Sequence, residues 1–132
     1  MTLSVHDNVL VGYSVRCEER RIILHTEFRD AAPVERTDVC FEGVEAYFFE
    51  NDRFGTILFD VAEVDLRGLL QQERARFEEG RRWMWPSGWS GSVQDDIARL
   101  TERSVRAWEV SASIGMTGWV LATDMTLVNK GR

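Results

Sequence analysis

The stretch Val9-Leu10-Val11-Gly12-Tyr13-Ser14-Val15-Arg16-Cys17-Glu18-Glu19-Arg20-Arg21-Ile22-Ile23-Leu24-His25-Thr26-Glu27-Phe28 decides the fold. Val9, Val11, Tyr13, Val15 and Cys17 recur at every second position, with Gly12, Ser14, Arg16 and Glu18 among the residues between them. Successive side chains on a strand point to opposite faces, so this period predicts one strand with all five on one side. The polar group Glu18-Glu19-Arg20 turns the chain. Ile22, Leu24, Thr26 and Phe28 then resume the alternation, with Arg21, His25 and Glu27 opposite. Two alternating runs across a short polar turn predict a β-hairpin.

Outward from the hairpin, 30–36 contains Pro33 and reads as a loop. In 37–50, Val39 and Phe41 take odd positions, and after Gly43 the residues Val44, Ala46 and Phe48 take even ones. A face switch at a glycine predicts a bulge or a break between two short strands. Tyr47 and Phe49 make the other side apolar too, so both faces of this strand are expected to be covered. A turn at 51–53 leads to a strand over 56–64. Asp65 is placed to cap a helix over about 66–79, with Leu66, Leu69, Leu70 and Phe77 on one stripe, Glu73 as its flaw and Gly80 as its stop. Ser92-Val93-Gln94-Asp95 resembles a capping box and predicts a second helix to about residue 104. Trp108, Val110 and Ala112 alternate, a turn follows at 114–118, and Trp119, Leu121, Thr123, Met125 and Leu127 alternate again. The order ββββααββ predicts an α+β domain spanning 1–132. Its largely antiparallel sheet would have about six strands, with two helices inserted between strands 4 and 5. Without alternating βαβ units, a doubly wound nucleotide fold is disfavoured.

The 132 residues are 44% apolar and 29% charged, which is the composition of a globular domain. No uncharged apolar run is long enough to span a membrane, and the start lacks a basic segment and carries Asp7, so no secretory signal is expected. Cys17 and Cys40 form no CxxC unit and read as buried, reduced thiols of a cytoplasmic protein. The formal net charge is −6. Residues 1–66 carry 14 acidic against 6 basic side chains, whereas 67–132 carry 8 against 10. Within 35–65 only Arg36 and Arg53 oppose nine carboxylates. Nucleic-acid binding draws its energy from cations meeting phosphates, so an acidic half opposes it. A basic protein surface is the better partner for such a field. Alternatively, the carboxylates simply solvate a sheet face.

No nucleophile elbow, zinc-protease helix, P-loop or dinucleotide fingerprint occurs. His25 and Glu27 are two apart on a strand and share a face, as a base and its orienter or as plain solvent-side residues. Glu42, Glu45, Asp60 and Glu63 match no metal-loop spacing. Catalytic residues, metal ligands and cofactors are therefore not assigned. The most unusual stretch is Arg81-Arg82-Trp83-Met84-Trp85-Pro86-Ser87-Gly88-Trp89-Ser90-Gly91, with three of the five tryptophans in seven residues. Its indoles either fold back to seal the core or stand out as binding anchors.

The pattern Tyr13-Ser14-Val15-Arg16-Cys17-Glu18-Glu19-Arg20-Arg21-Ile22-Ile23-Leu24-His25-Thr26, followed by Val39-Cys40-Phe41-Glu42-Gly43-Val44-Glu45-Ala46-Tyr47, resembles small bacterial proteins of uncharacterised families. Several of these look like immunity proteins of polymorphic toxin systems. The segments 77–82 and 115–121 fit the same pattern. The resemblance implies a cytoplasmic α+β domain that binds and blocks a cognate toxin, and it supplies no catalytic residue. On this reading Glu42, Glu45, Asp52 and Asp60 meet a basic toxin cleft, and Trp83, Trp85 and Trp89 supply apolar anchors. The alternative is a ligand-binding or enzymatic domain with a pocket near His25 and the 83–89 loop.

Overall fold

The computed structural model describes residues 3–86 and 88–131. Its strands are β1 (Val9–Arg16), β2 (Arg21–Phe28), β3 (Glu35–Glu42), β4 (Ala46–Glu50), β5 (Ile57–Val64), β6 (Arg106–Ile114), β7 (Thr117–Ala122) and β8 (Asp124–Gly131). Between β5 and β6 lie α1 (Leu66–Gln72), α2 (Arg74–Gly80), a 3-10 turn (Arg81–Trp83) and α3 (Val93–Glu102). The chain is therefore α+β, with all strand pairs antiparallel. Eight strands and three helices replace the expected six and two, and the helices follow the fifth strand.

The extra elements arise from three breaks. The stretch 37–50 bends at Gly43, which adopts φ +61°, and the stretch 117–131 bends at Thr123. The corners face each other: the Thr123 N–H donates to Glu42 O at 2.9 Å, and the Glu45 N–H donates to Leu121 O at 2.8 Å. A Cβ on Gly43 would run into the Thr123 side chain. The third break, at Glu73, divides the predicted helix into α1 and α2.

The sheet order is β4-β7-β6-β5-β1-β2-β3-β8. β3 pairs with β8 and β4 with β7, so the bent strands β3–β4 and β7–β8 lie side by side along their length. Passing from β3 through β2, β1, β5 and β6 leads back to β7, so the sheet curls onto itself. Ile22, Leu24, Val39, Phe41, Leu58, Val61, Trp108, Val110 and Val120 fill the inside. The helices cover the outer face of β4, β6 and β7, burying Leu69, Leu70, Phe77, Trp89 and Leu100 against Ala107, Trp119 and Leu121. β4 is thus apolar on both sides as expected, with Phe48 under the helices and Phe49 against the inner core.

The five-residue face expected of β1 does not form. A bulge between Leu10 and Gly12 shifts the register, so Leu10 and Val15 pack inward while Val11 stays in solvent. Cys40 is buried, but Cys17 is exposed because it lies just past the end of β1, in the polar turn. Among the described residues no helix packs extensively on β1, β2, β3 or β8.

Candidate functional site

The acidic residues expected to form one surface have different local partners. The Glu42 carboxylate lies 2.9 Å from Arg21 Nε on the adjacent strand. Glu45 sits in the β3–β4 corner with its side chain only 8% exposed. Arg20 approaches it at 3.5 Å, and Arg103 closes on it from the end of α3. A carboxylate taken out of water needs such cations, and here they tie the sheet corner to the helical layer. Asp52 follows β4 and accepts the Tyr13 hydroxyl at 2.6 Å. That hydrogen bond, with burial and the negative charge of Asp52 adding to it, pushes the Tyr13 phenol up to about 12. Asp60 is exposed on β5 and accepts the N–H of Val61. Glu63 pairs with Arg106 at 3.7 Å. The oxygens of Glu42, Glu45, Asp60 and Glu63 therefore engage separate groups. Among the described residues no three His, Cys, Asp or Glu are placed to hold a metal ion.

The tryptophan segment divides its roles. The 3-10 turn ends at Met84, whose left-handed backbone (φ 59°) reverses the chain, and the Trp85 N–H donates back to Gly80 O. Trp85 then packs 5.7 Å from Phe77 and 5.9 Å from Trp119. Trp89 packs 5.0 Å from Phe77, and its indole N–H donates to Glu78 Oε1 at 2.9 Å. These two indoles seal the outer core. Trp83 and Met84 face solvent, 74% and 82% exposed, with the Arg82 guanidinium 5.0 Å over the Trp83 ring. Beneath the α1–α2 break, Glu50, Glu73 and Glu109 line a cleft of about 230 Å³ with Arg76 as its one cation. Arg76 lies across Phe48 and 3.5 Å from Glu73, whose carboxylate also accepts the Trp119 indole N–H.

His25 does not meet Glu27, which Arg29 and Arg36 hold at 3.1 and 3.2 Å. Those guanidiniums, Arg29 foremost, lower the Glu27 pKa. Instead, His25 stands between Ser14 on β1 and Asp38 on β3. Its Nε2 is 3.2 Å from Ser14 Oγ, and its Nδ1 is 3.1 Å from Asp38 Oδ1. Trp85 lines a groove of about 260 Å³ with Val15, Cys17, Arg20 and Tyr47, and His25 is not among its walls.

Sequence gives no site role to Ser14, Asp38, Met84, Glu50 or Glu109, and marks Glu73 only as the flaw in a helical stripe. The polar turn does set Arg16 opposite Arg21, which carries His25 opposite Gly12 and Ser14 one diagonal step away. The register of β3 depends on the loop before it, so Asp38 gave no such signal. No helix among the described residues is long and apolar enough to cross a membrane. No protein-family model and no curated protein matches the chain.

Proposed function

We propose that this chain is a protein-binding domain of the immunity type, which blocks a basic toxin domain by covering it. The observation that carries this reading is the divided tryptophan segment: Trp85 and Trp89 fix its base while Trp83 and Met84 stand in water. Leaving side chains of this size hydrated is unfavourable. Trp, Met and Arg are the residue types that interface centres favour, and a tip on a fixed base loses little entropy on binding. Asp60, with Glu50 and Glu109 of the cleft, offers the negative field that a basic partner seeks, while Glu73 is already engaged by Arg76 and Trp119. Glu42 and Glu45 contribute less, because arginines of this chain already neutralise them. Two free cysteines, one of them exposed, suit a reducing compartment such as the cytoplasm.

The test is calorimetric titration with the toxin domain encoded beside this gene. Trp83→Ala is expected to weaken binding at least tenfold, or about 1.4 kcal/mol. Raising the salt concentration is expected to weaken it further. Affinity indifferent to both changes contradicts this reading.

A further inference from the structure

We propose that Ser14 is an activated nucleophile, with His25 as its base and Asp38 as the residue that orients the base, and that the trio performs acyl transfer from short carboxylic esters to water. The three side chains come from adjacent strands and share the face of the sheet turned away from the inner core, with Asp38 buried in it. The β1–β2 and β2–β3 ladders fix their backbones, so the spacing between them does not depend on a loop. Asp38 is the enclosed member, with its side chain 12% exposed, whereas that of His25 is 43% exposed. An ionised carboxylate can only accept, so Asp38 draws the imidazole proton onto Nδ1. That leaves the Nε2 lone pair facing the Ser14 hydroxyl at 3.2 Å. A nucleophile within reach of a base, with the base oriented by a third group, is the arrangement that makes a serine hydroxyl reactive.

Two surrounding features admit a substrate. Gly12 stands opposite His25, and a Cβ there would meet nothing within 4 Å, so the space beside the imidazole is open. Arg16, two residues along the same strand face, lines an open recess with Ser14; Glu19 holds its guanidinium at 2.9 and 3.0 Å, so it reaches a developing oxyanion only when that pair opens. The recess is open, so it gives a long acyl chain little to bind to and leaves only the reacting ester group engaged. Cys40 does not compete, because burial raises its thiol pKa and keeps it protonated.

In the reaction, Ser14 Oγ bonds to the ester carbonyl carbon as its proton passes to His25 Nε2. The bond to the leaving alkoxide breaks, and that proton leaves with the alcohol. Water then attacks the acyl-serine, its proton passes through Nε2 to Ser14 Oγ, and the carboxylic acid departs. Ester and water become acid and alcohol, with no other reactant.

The test treats the native chain, without any partner, with a fluorophosphonate probe, and locates the adduct by peptide mass spectrometry. Ser14 is the expected site, with no adduct in Ser14→Ala or in the urea-unfolded chain. His25→Gln is expected to slow labelling by about a hundredfold, the usual contribution of a positioned base. Asp38→Asn, nearly the same shape, is expected to slow it at least tenfold while leaving the circular dichroism unchanged. Hydrolysis of p-nitrophenyl acetate is expected to follow the same order. No adduct on Ser14, or equal rates in the wild type and His25→Gln, overturns the proposal. Because no partner enters the assay, that result leaves the toxin-binding reading untouched, and a failed toxin titration leaves this one untouched.

Discussion

The Tyr13 phenol donates to Asp52, and loss of its proton would set two negative charges 2.6 Å apart. The folded-state pKa of about 12 lies above the value of roughly 10 for an unhindered tyrosine. A raised phenol pKa means that folding favours the protonated form. The contribution is complete below about pH 10 and disappears as pH rises to about 12. Asp52→Asn is therefore expected to move the Tyr13 phenolate absorbance transition down toward 10 (about the free value) in an alkaline titration. A transition that stays in place shows that another group raises it. The same locality limits what the sequence reveals about charge. It counts nine carboxylates in 35–65, but not that Glu45 will be enclosed by Arg20 and Arg103, residues far from it in the chain. Ser14 and Asp38 were hidden for the same reason, since neither is unusual until the register sets them against His25.

Glu73 interrupts an otherwise apolar helical stripe. Its N–H caps α1, its backbone opens α2, and its carboxylate takes the Trp119 indole N–H. Glu73→Leu would complete the stripe and still cost stability, because the buried Trp119 indole N–H loses its acceptor at about 1–3 kcal/mol. Chemical denaturation is expected to show a loss of about 2 kcal/mol for Glu73→Leu and a smaller loss for Glu73→Gln, which keeps an acceptor. Equal losses in the two variants would point to the helix break instead. The flaw was visible as an anomaly, but its partner lies 46 residues away in β7. The two sheet corners differ in the same way. Gly43 announces itself through a switch from odd to even apolar positions. Thr123 does not, because Trp119, Leu121, Met125 and Leu127 all keep odd positions across it. Yet Trp119 and Leu121 pack under the helices, while Met125 and Leu127 face the inner core. Where both faces are apolar, alternation cannot show which core a side chain enters.

At the scale of the molecule, one sheet serves two cores. The inner cluster is made by strands of the curled sheet and the segments joining them, whereas the outer one depends on the excursion from Leu66 to Glu102 lying against β4, β6 and β7. That excursion meets the sheet through a few large side chains, and Phe77 is central among them, touching Trp85, Trp89 and Trp119. Phe77→Ala is expected to cost about 3–5 kcal/mol, as removal of a fully buried ring does. Hydrogen exchange separates two ways of losing it. If the helical layer opens as its own unit, amides of α1, α2 and α3 lose protection first, and those of β2 and β3 change little. Phe41→Ala, placed between β2 and β8 in the inner core, is expected to lower protection in sheet and helices together, because the helices have no other surface to pack on. The order of opening bears on binding as well, since Trp83 and Met84 follow α2 and would open with the helical layer if it yields first. A partner that grips them would slow exchange in α2 more than in β2, and equal slowing in both would place its footprint on the sheet instead.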